Sequence, residues 1–224
     1  MLFRDRRDAG RHLADALQRY RSEDAVVEGL ARGGVPVAFE VAEALGAPLD
    51  VLLVRKLGCP GQTELGLGAI GEGGVRLVNE ELVERVGISA AALDGIAGRE
   101  EAILDERLRL LRGDRARVAV RDRTVIVIDD GLATGYTARA AIEVLRLLQA
   151  RRVVLAVPVA PAATVEELRT VADDLVCLHV PPAFMAIGAF YDNFTQVPDD
   201  DVARLLAGVR PAPDQKTRPT AGSS

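Results

Sequence analysis

The 224-residue chain carries a formal net charge of −5, with 49% hydrophobic and 27% charged residues. This composition excludes a disordered chain, and the negative balance gives no overall attraction to a nucleic-acid backbone or an anionic membrane, so any phosphate binding must come from a local site. The length suits one sizeable α/β domain, expected over residues 1–208, and is short for two.

The first residues, Met1 to Arg7, alternate charges and lack the apolar stretch of a secretory signal, so a cytoplasmic location is expected. A helix is predicted over 8–20, where Leu13, Ala16, Leu17 and Tyr20 recur at i, i+3, i+4 and i+7. A strand over 25–30 and a helix over 35–45, stopped by Gly46, follow. The next strand, over 49–54, leads into a turn-rich loop through Arg55-Lys56-Leu57-Gly58-Cys59-Pro60-Gly61. Short strands near 69–70 and 75–78 flank Gly71-Glu72-Gly73-Gly74, which suits a tight hairpin.

Helices are predicted over 79–86 and 90–112. The second carries Glu100, Glu101, Asp105 and Glu106 among Arg99, Arg107, Arg109 and Arg112, which reads as a solvated face with weak ion pairs. Beyond it come a strand over 124–128, a helix over 137–148, a strand over 153–157, a helix over 164–171 and a strand over 175–180. A Pro-rich aromatic excursion, 181–194, precedes a helix over 199–206, and the composition of 209–224 predicts a disordered tail. Short apolar runs alternating with helical stretches predict a doubly wound, mainly parallel central sheet with helices on both faces. The apolar run 153–165 is broken by Pro158 and Pro161, so no membrane span is expected.

Residues 125–137, Val-Ile-Val-Ile-Asp-Asp-Gly-Leu-Ala-Thr-Gly-Tyr-Thr, hold the strongest functional signal. Four consecutive β-branched apolar residues mark a strand buried on both faces. Asp129 and Asp130 therefore fall at the carboxyl end of a central strand, where open α/β sheets bind ligands. Adjacent carboxylates cost free energy unless a cation or ligand hydroxyls receive them. Ala133 to Thr137 then supply small side chains, hydroxyls and the free amides of a helix start, which suit a phosphate dianion. Together they point to a phosphorylated sugar. The bland alternative is an acidic strand end followed by a Thr N-cap.

This run resembles the phosphoribosylpyrophosphate signature of type I phosphoribosyltransferases: an apolar strand, an acidic pair, two variable residues and a Thr-Gly-centred loop. The resemblance implies that Asp129 and Asp130 contact the ribose hydroxyls, engaging a metal indirectly, and that Ala133, Thr134, Gly135, Tyr136 and Thr137 wrap the 5-phosphate. Tyr136 departs from the pattern, since many members carry a small residue there and a positive φ would be costly for tyrosine. Ala31-Arg32-Gly33-Gly34-Val35 sits where the family places its pyrophosphate loop, and Lys56 matches a position that reaches the same group. Further similarity runs to a bacterial branch of phosphoribosyltransferase-like proteins.

The resemblance implies a Mg²⁺-dependent enzyme, with Arg32, Lys56, Asp129 and Asp130 as its catalytic set, that joins phosphoribosylpyrophosphate to a small nitrogenous acceptor. A homodimer is the expected assembly, with no nucleic-acid or membrane partner. It also implies a C-terminal hood over about 181–197 that holds the acceptor, with Phe184, Tyr191 and Asp192 as candidates. A regulatory protein that binds the same ligand without transfer is the main alternative, suggested by Tyr136 and by the short stretch between Lys56 and Glu64; a hydrolase is a third. Gly66-Leu67-Gly68-Ala69-Ile70-Gly71 fits GxGxxG, but Glu72-Gly73-Gly74 follows instead of a helix, which argues against a dinucleotide site. Cys59 and Cys177 read as free thiols, and His12 and His179 as isolated residues with no ligand role.

Overall fold

The computed structural model describes residues 3–208, so the predicted tail at 209–224 lies outside the described residues. Asp5 caps the first helix, α1 (Arg6–Ala16), accepting from the Asp8 amide at 2.8 Å. Next come β1 (Ala25–Leu30), α2 (Gly34–Leu45), which ends on Gly46 at φ 66°, and β2 (Leu49–Leu52). Three strands follow, β3 (Val54–Cys59), β4 (Gln62–Gly71) and β5 (Val75–Val78). The helices α3 (Glu80–Val86) and α4 (Ala90–Arg112) are capped by Asn79 and Ser89. The chain continues through β6 (Thr124–Ile128), α5 (Tyr136–Leu147), β7 (Arg152–Val159), α6 (Ala162–Leu168), β8 (Asp174–His179) and α7 (Asp199–Gly208).

The central sheet has the order β2-β1-β6-β7-β8, and all its pairings are parallel. The period of two along β6 sorts its side chains: Ile126 and Ile128 join the core under α1, α2, α4 and α7, whereas Val125 and Val127 join the core under α5 and α6. This is the doubly wound α/β architecture expected from the alternating pattern. The order steps outward in one direction from β1 to β2 and in the other from β6 to β8. The topological switch point therefore lies between β1 and β6.

Two expectations are corrected. The strand over 49–54 is two strands, and the segment taken as a turn-rich loop is the first half of a separate antiparallel sheet, β3-β4-β5. Its glycines disguise it. A Cβ on Gly68 would stand 1.9 Å from the Leu77 carbonyl oxygen, and one on Gly71 would stand 2.6 Å from Val144 of α5, so these positions read as loop because close approach admits no side chain. The Gly66–Gly71 run thus lies in a strand, and the Gly71–Gly74 segment makes the β4–β5 connection as a hairpin.

The second correction concerns α4. Arg112 is buried, reaching Asp50 at 3.0 Å and Glu72 at 2.6 Å, while Arg117 meets Glu28 at 3.4 Å. Glu28 and Asp50 are register partners on β1 and β2, so the sheet itself places two carboxylates side by side. Glu28 is fully buried and its Oε2 lacks a hydrogen-bond partner among the described residues. Burial, opposed by Arg117 and reinforced by Asp50, pushes its pKa up to about 7. A raised acid pKa means the folded chain keeps a proton that the unfolded chain loses, so stability falls as pH rises from about 4.5 to about 7. Glu28→Gln should therefore raise the melting temperature at pH 8, with a gain of up to about 3 kcal/mol, and the gain should vanish near pH 4.5. Parallel melting curves across pH check this, and a gain independent of pH would refute it.

No helix among the described residues is long and apolar enough to cross a membrane.

Candidate active site

The acidic pair and the Arg32–Gly34 loop leave the carboxyl ends of β6 and β1, on the two sides of the switch point. Their contact leaves no room for side chains. A Cβ on Gly33 would lie 2.0 Å from Asp130 Oδ2, and one on Gly34 would lie 2.3 Å from the Ile128 carbonyl oxygen. Gly33 itself has ordinary helical angles, φ −62° and ψ −33°, so clearance rather than backbone conformation is what requires glycine here. Arg32 is half-buried and its guanidinium sits 3.5 Å from Asp199 at the start of α7.

Asp129 Oδ1 accepts from the Asp130 amide at 2.9 Å. Burial, with the Asp130 carboxylate beside it, holds the Asp129 pKa well above the ordinary carboxylate value. Asp130 is also raised by burial, and a cation that the sequence reading missed opposes the rise: Arg6 Nε meets Asp130 Oδ2 at 2.6 Å. Both side chains are about nine-tenths buried, at 12% and 11% exposure. The signal for Arg6 was present only as one of several alternating charges near the start of the chain.

The loop after the pair stays open as far as Gly135, whose φ of 74° makes it the left-handed residue before α5. The positive φ thus falls on glycine and not on Tyr136, which removes the cost anticipated there. Tyr136 and Thr137 lie in the first turn of α5, so the loop proper is shorter than 133–137. Ala133, Thr134, Tyr136 and Thr137 are exposed, and the Ala133 carbonyl is anchored by the Thr164 hydroxyl at 2.7 Å. Gly135 is pinned from beneath, since a Cβ there would meet Thr164 at 2.8 Å and Leu168 at 2.9 Å.

Lys56, expected in a turn-rich loop just past the second strand, is held in a strand there. It lies in β3, opposite Ala69 of the second sheet, and lines a cavity of about 500 Å³ with Arg55, Cys59, Arg99 and Glu100.

The 181–197 segment packs over the pair. A Cβ on Gly131 would meet Ile187 at 2.6 Å, and the Tyr191 hydroxyl donates to the Asp130 carbonyl at 2.6 Å. Tyr191 is buried against Phe3 and Phe194, with ring centroids 5.5 and 4.9 Å apart, so it supports the site from behind and offers no face to a ligand ring. Phe184 stacks on Phe190 at 5.8 Å, and both are half-buried. Asp192 is exposed, and its amide donates to the Phe3 carbonyl at 2.9 Å. Among the described residues no cluster of three or more His, Cys, Asp or Glu could hold a metal by itself.

The phosphoribosyl transferase domain model matches residues 4–194. A Mycobacterium tuberculosis protein provisionally named a phosphoribosyl transferase is 49% identical over 205 residues, covering 92% of this chain, and the same match occurs in two strains. The chain spans about half the length of these relatives, 46%. The crystal structure of TT1426 from Thermus thermophilus superposes with a TM-score of 0.83 at 44% identity, covering 93% of this chain and 99% of that one. With the family model matched across most of its length, the chain belongs to the phosphoribosyl transferase domain family.

Proposed function

We propose that this chain transfers the 5-phosphoribosyl group of phosphoribosylpyrophosphate to a nitrogenous acceptor, releasing pyrophosphate. The observation that carries the reading is the contact between the Arg32–Gly34 loop and the Asp129–Asp130 pair across the switch point of a parallel sheet. A glycine loop pressed onto a carboxylate leaves the loop amides and the acid oxygens on one ligand, as a sugar carrying pyrophosphate requires.

In this reading Asp129 and Asp130 accept from ribose hydroxyls. The amides from Thr134 to Thr137, at the positive end of α5, hold the 5-phosphate. Arg32 and the Gly33–Gly34 amides take the leaving pyrophosphate, with Lys56 contributing charge from the neighbouring sheet. Catalysis then consists of neutralising the departing group and holding the acceptor in line with the anomeric carbon. Phe184 and Asp192 are the hood residues proposed to face the acceptor, and Tyr191 positions that segment.

Two adjacent carboxylates without a third protein ligand suit Mg²⁺, which keeps waters and takes further ligands from substrate phosphates. When bound, the ion would neutralise part of the charge on the leaving pyrophosphate. Asp129 and Asp130 would hold it, directly or through the ribose oxygens.

A pyrophosphate-release assay with phosphoribosylpyrophosphate, Mg²⁺ and panels of purine, pyrimidine and pyridine-carboxylate acceptors tests the proposal. Release that depends on one acceptor is the expected result. Binding without release under any acceptor would replace transfer with ligand sensing, and ribose 5-phosphate formed without acceptor would indicate hydrolysis.

A further inference from the structure

Arg6 is the least accounted-for residue of the site. Its Nε engages Asp130 Oδ2 at 2.6 Å, one guanidinium nitrogen donates to the Thr195 carbonyl at 2.8 Å, and its central carbon stands 3.9 Å from the centroid of the Phe194 ring. A single side chain therefore joins the acidic pair to the segment that covers it. Arg6 also lines a cavity of about 610 Å³ with Arg7, Phe39, Asn193, Val197 and Arg204. An exposed surface pair would carry little weight, but this one is nine-tenths buried on both sides and has a ring beneath it.

Geometry restricts what Asp130 can do without Arg6. One side of the carboxylate is closed by Gly33, whose missing side chain gives just enough clearance for Oδ2. The peptide after the carboxylate is tethered by the Tyr191 hydroxyl. With Oδ2 fixed between Gly33 and Arg6, Oδ1 is the oxygen left for a ligand. The ionisable groups facing Asp130 are Arg6 from α1, Asp129 on its own loop and Tyr191 from the covering segment, and Arg6 is the cation among them.

We propose that Arg6 is the positioning residue of the ribose site: it orients Asp130 through Oδ2 so that Oδ1 receives a sugar hydroxyl, and it locks that orientation to the 194–195 segment. The inference rests on the ribose-phosphate reading above and assigns a task to a residue outside the recognised motifs.

The test is isothermal titration of phosphoribosylpyrophosphate with Mg²⁺ into the wild-type chain, Arg6→Lys and Arg6→Gln, with the melting temperature of each measured alongside. Arg6→Gln should bind about 30-fold more weakly, and Arg6→Lys should stay within about fivefold of wild type. Equal affinity in Arg6→Gln would overturn the inference, as would an equal loss in both variants that follows their loss of melting temperature, which marks a merely structural role. A wild-type chain that does not bind the ligand removes the ribose-phosphate reading itself, and this inference with it.

Discussion

Asp129→Asn combined with Asp130→Asn should lower affinity for phosphoribosylpyrophosphate with Mg²⁺ on the order of a thousandfold, as two charge-assisted hydrogen bonds are lost. Isothermal titration reads this directly, and unchanged affinity would sink the assignment of the pair to the ribose. The single variants separate binding from folding. Asp129 is raised far above its ordinary pKa because burial disfavours its charged form, so a permanently neutral Asn should raise the melting temperature at pH 8. Asp130 is raised as well, but Arg6 opposes the rise, so Asp130→Asn should gain less. It also leaves the Arg6 guanidinium, 12% exposed, without its counterion, which offsets part of the gain. The two acids thus differ in how much stability their removal returns, while both weaken binding.

Gly33→Ala is expected to produce nearly as large a loss of ligand by a different route. The new methyl would lie 2.0 Å from Asp130 Oδ2, an oxygen that Arg6 prevents from retreating freely. Alanine fits the local φ and ψ, so the backbone need not change and the strain falls on the carboxylate. A displacement near 1 Å at a positioned group costs about a hundredfold. Affinity should fall by that factor with little change in the circular dichroism spectrum. Gly34→Ala is the control: its methyl would meet the Ile128 carbonyl oxygen at 2.3 Å, where main chain cannot yield, so loss of melting temperature should dominate. Gly33→Ala with wild-type affinity would show that the loop and the acid do not share a ligand.

The central sheet was legible because its strands state their burial locally. Val125 to Ile128 are apolar on both faces and end in two acids, and nothing distant alters that reading. The Arg32–Gly34 loop was legible for a similar reason, since glycines directly after a buried strand mark close backbone approach. The features that escaped depend on pairings between distant residues. Arg112 lies on a helix whose charges look solvent-facing, and only the fold brings it to Asp50, which is 62 residues away. Arg6 is 124 residues from Asp130 and sits in a charge-rich stretch with no periodic mark. β4 was read only near 69–70, because the glycines that let it approach β5 and α5 are the residues that ordinarily signal a loop. Tyr191 was placed in the correct segment but facing the wrong way, because an aromatic cluster does not state which ring packs against Phe3.

The placement of the three tyrosines gives the site a built-in optical reporter. The chain contains no tryptophan, so its ultraviolet emission comes from tyrosine alone. Tyr20 donates its hydroxyl to Asp174 and Tyr191 donates to the Asp130 carbonyl, and both rings are enclosed. Tyr136 is 75% exposed at the opening turn of the helix after Gly135. Its fluorescence, unlike that of the other two, samples solvent beside the proposed phosphate loop, so occupancy there can be followed in the unlabelled native chain.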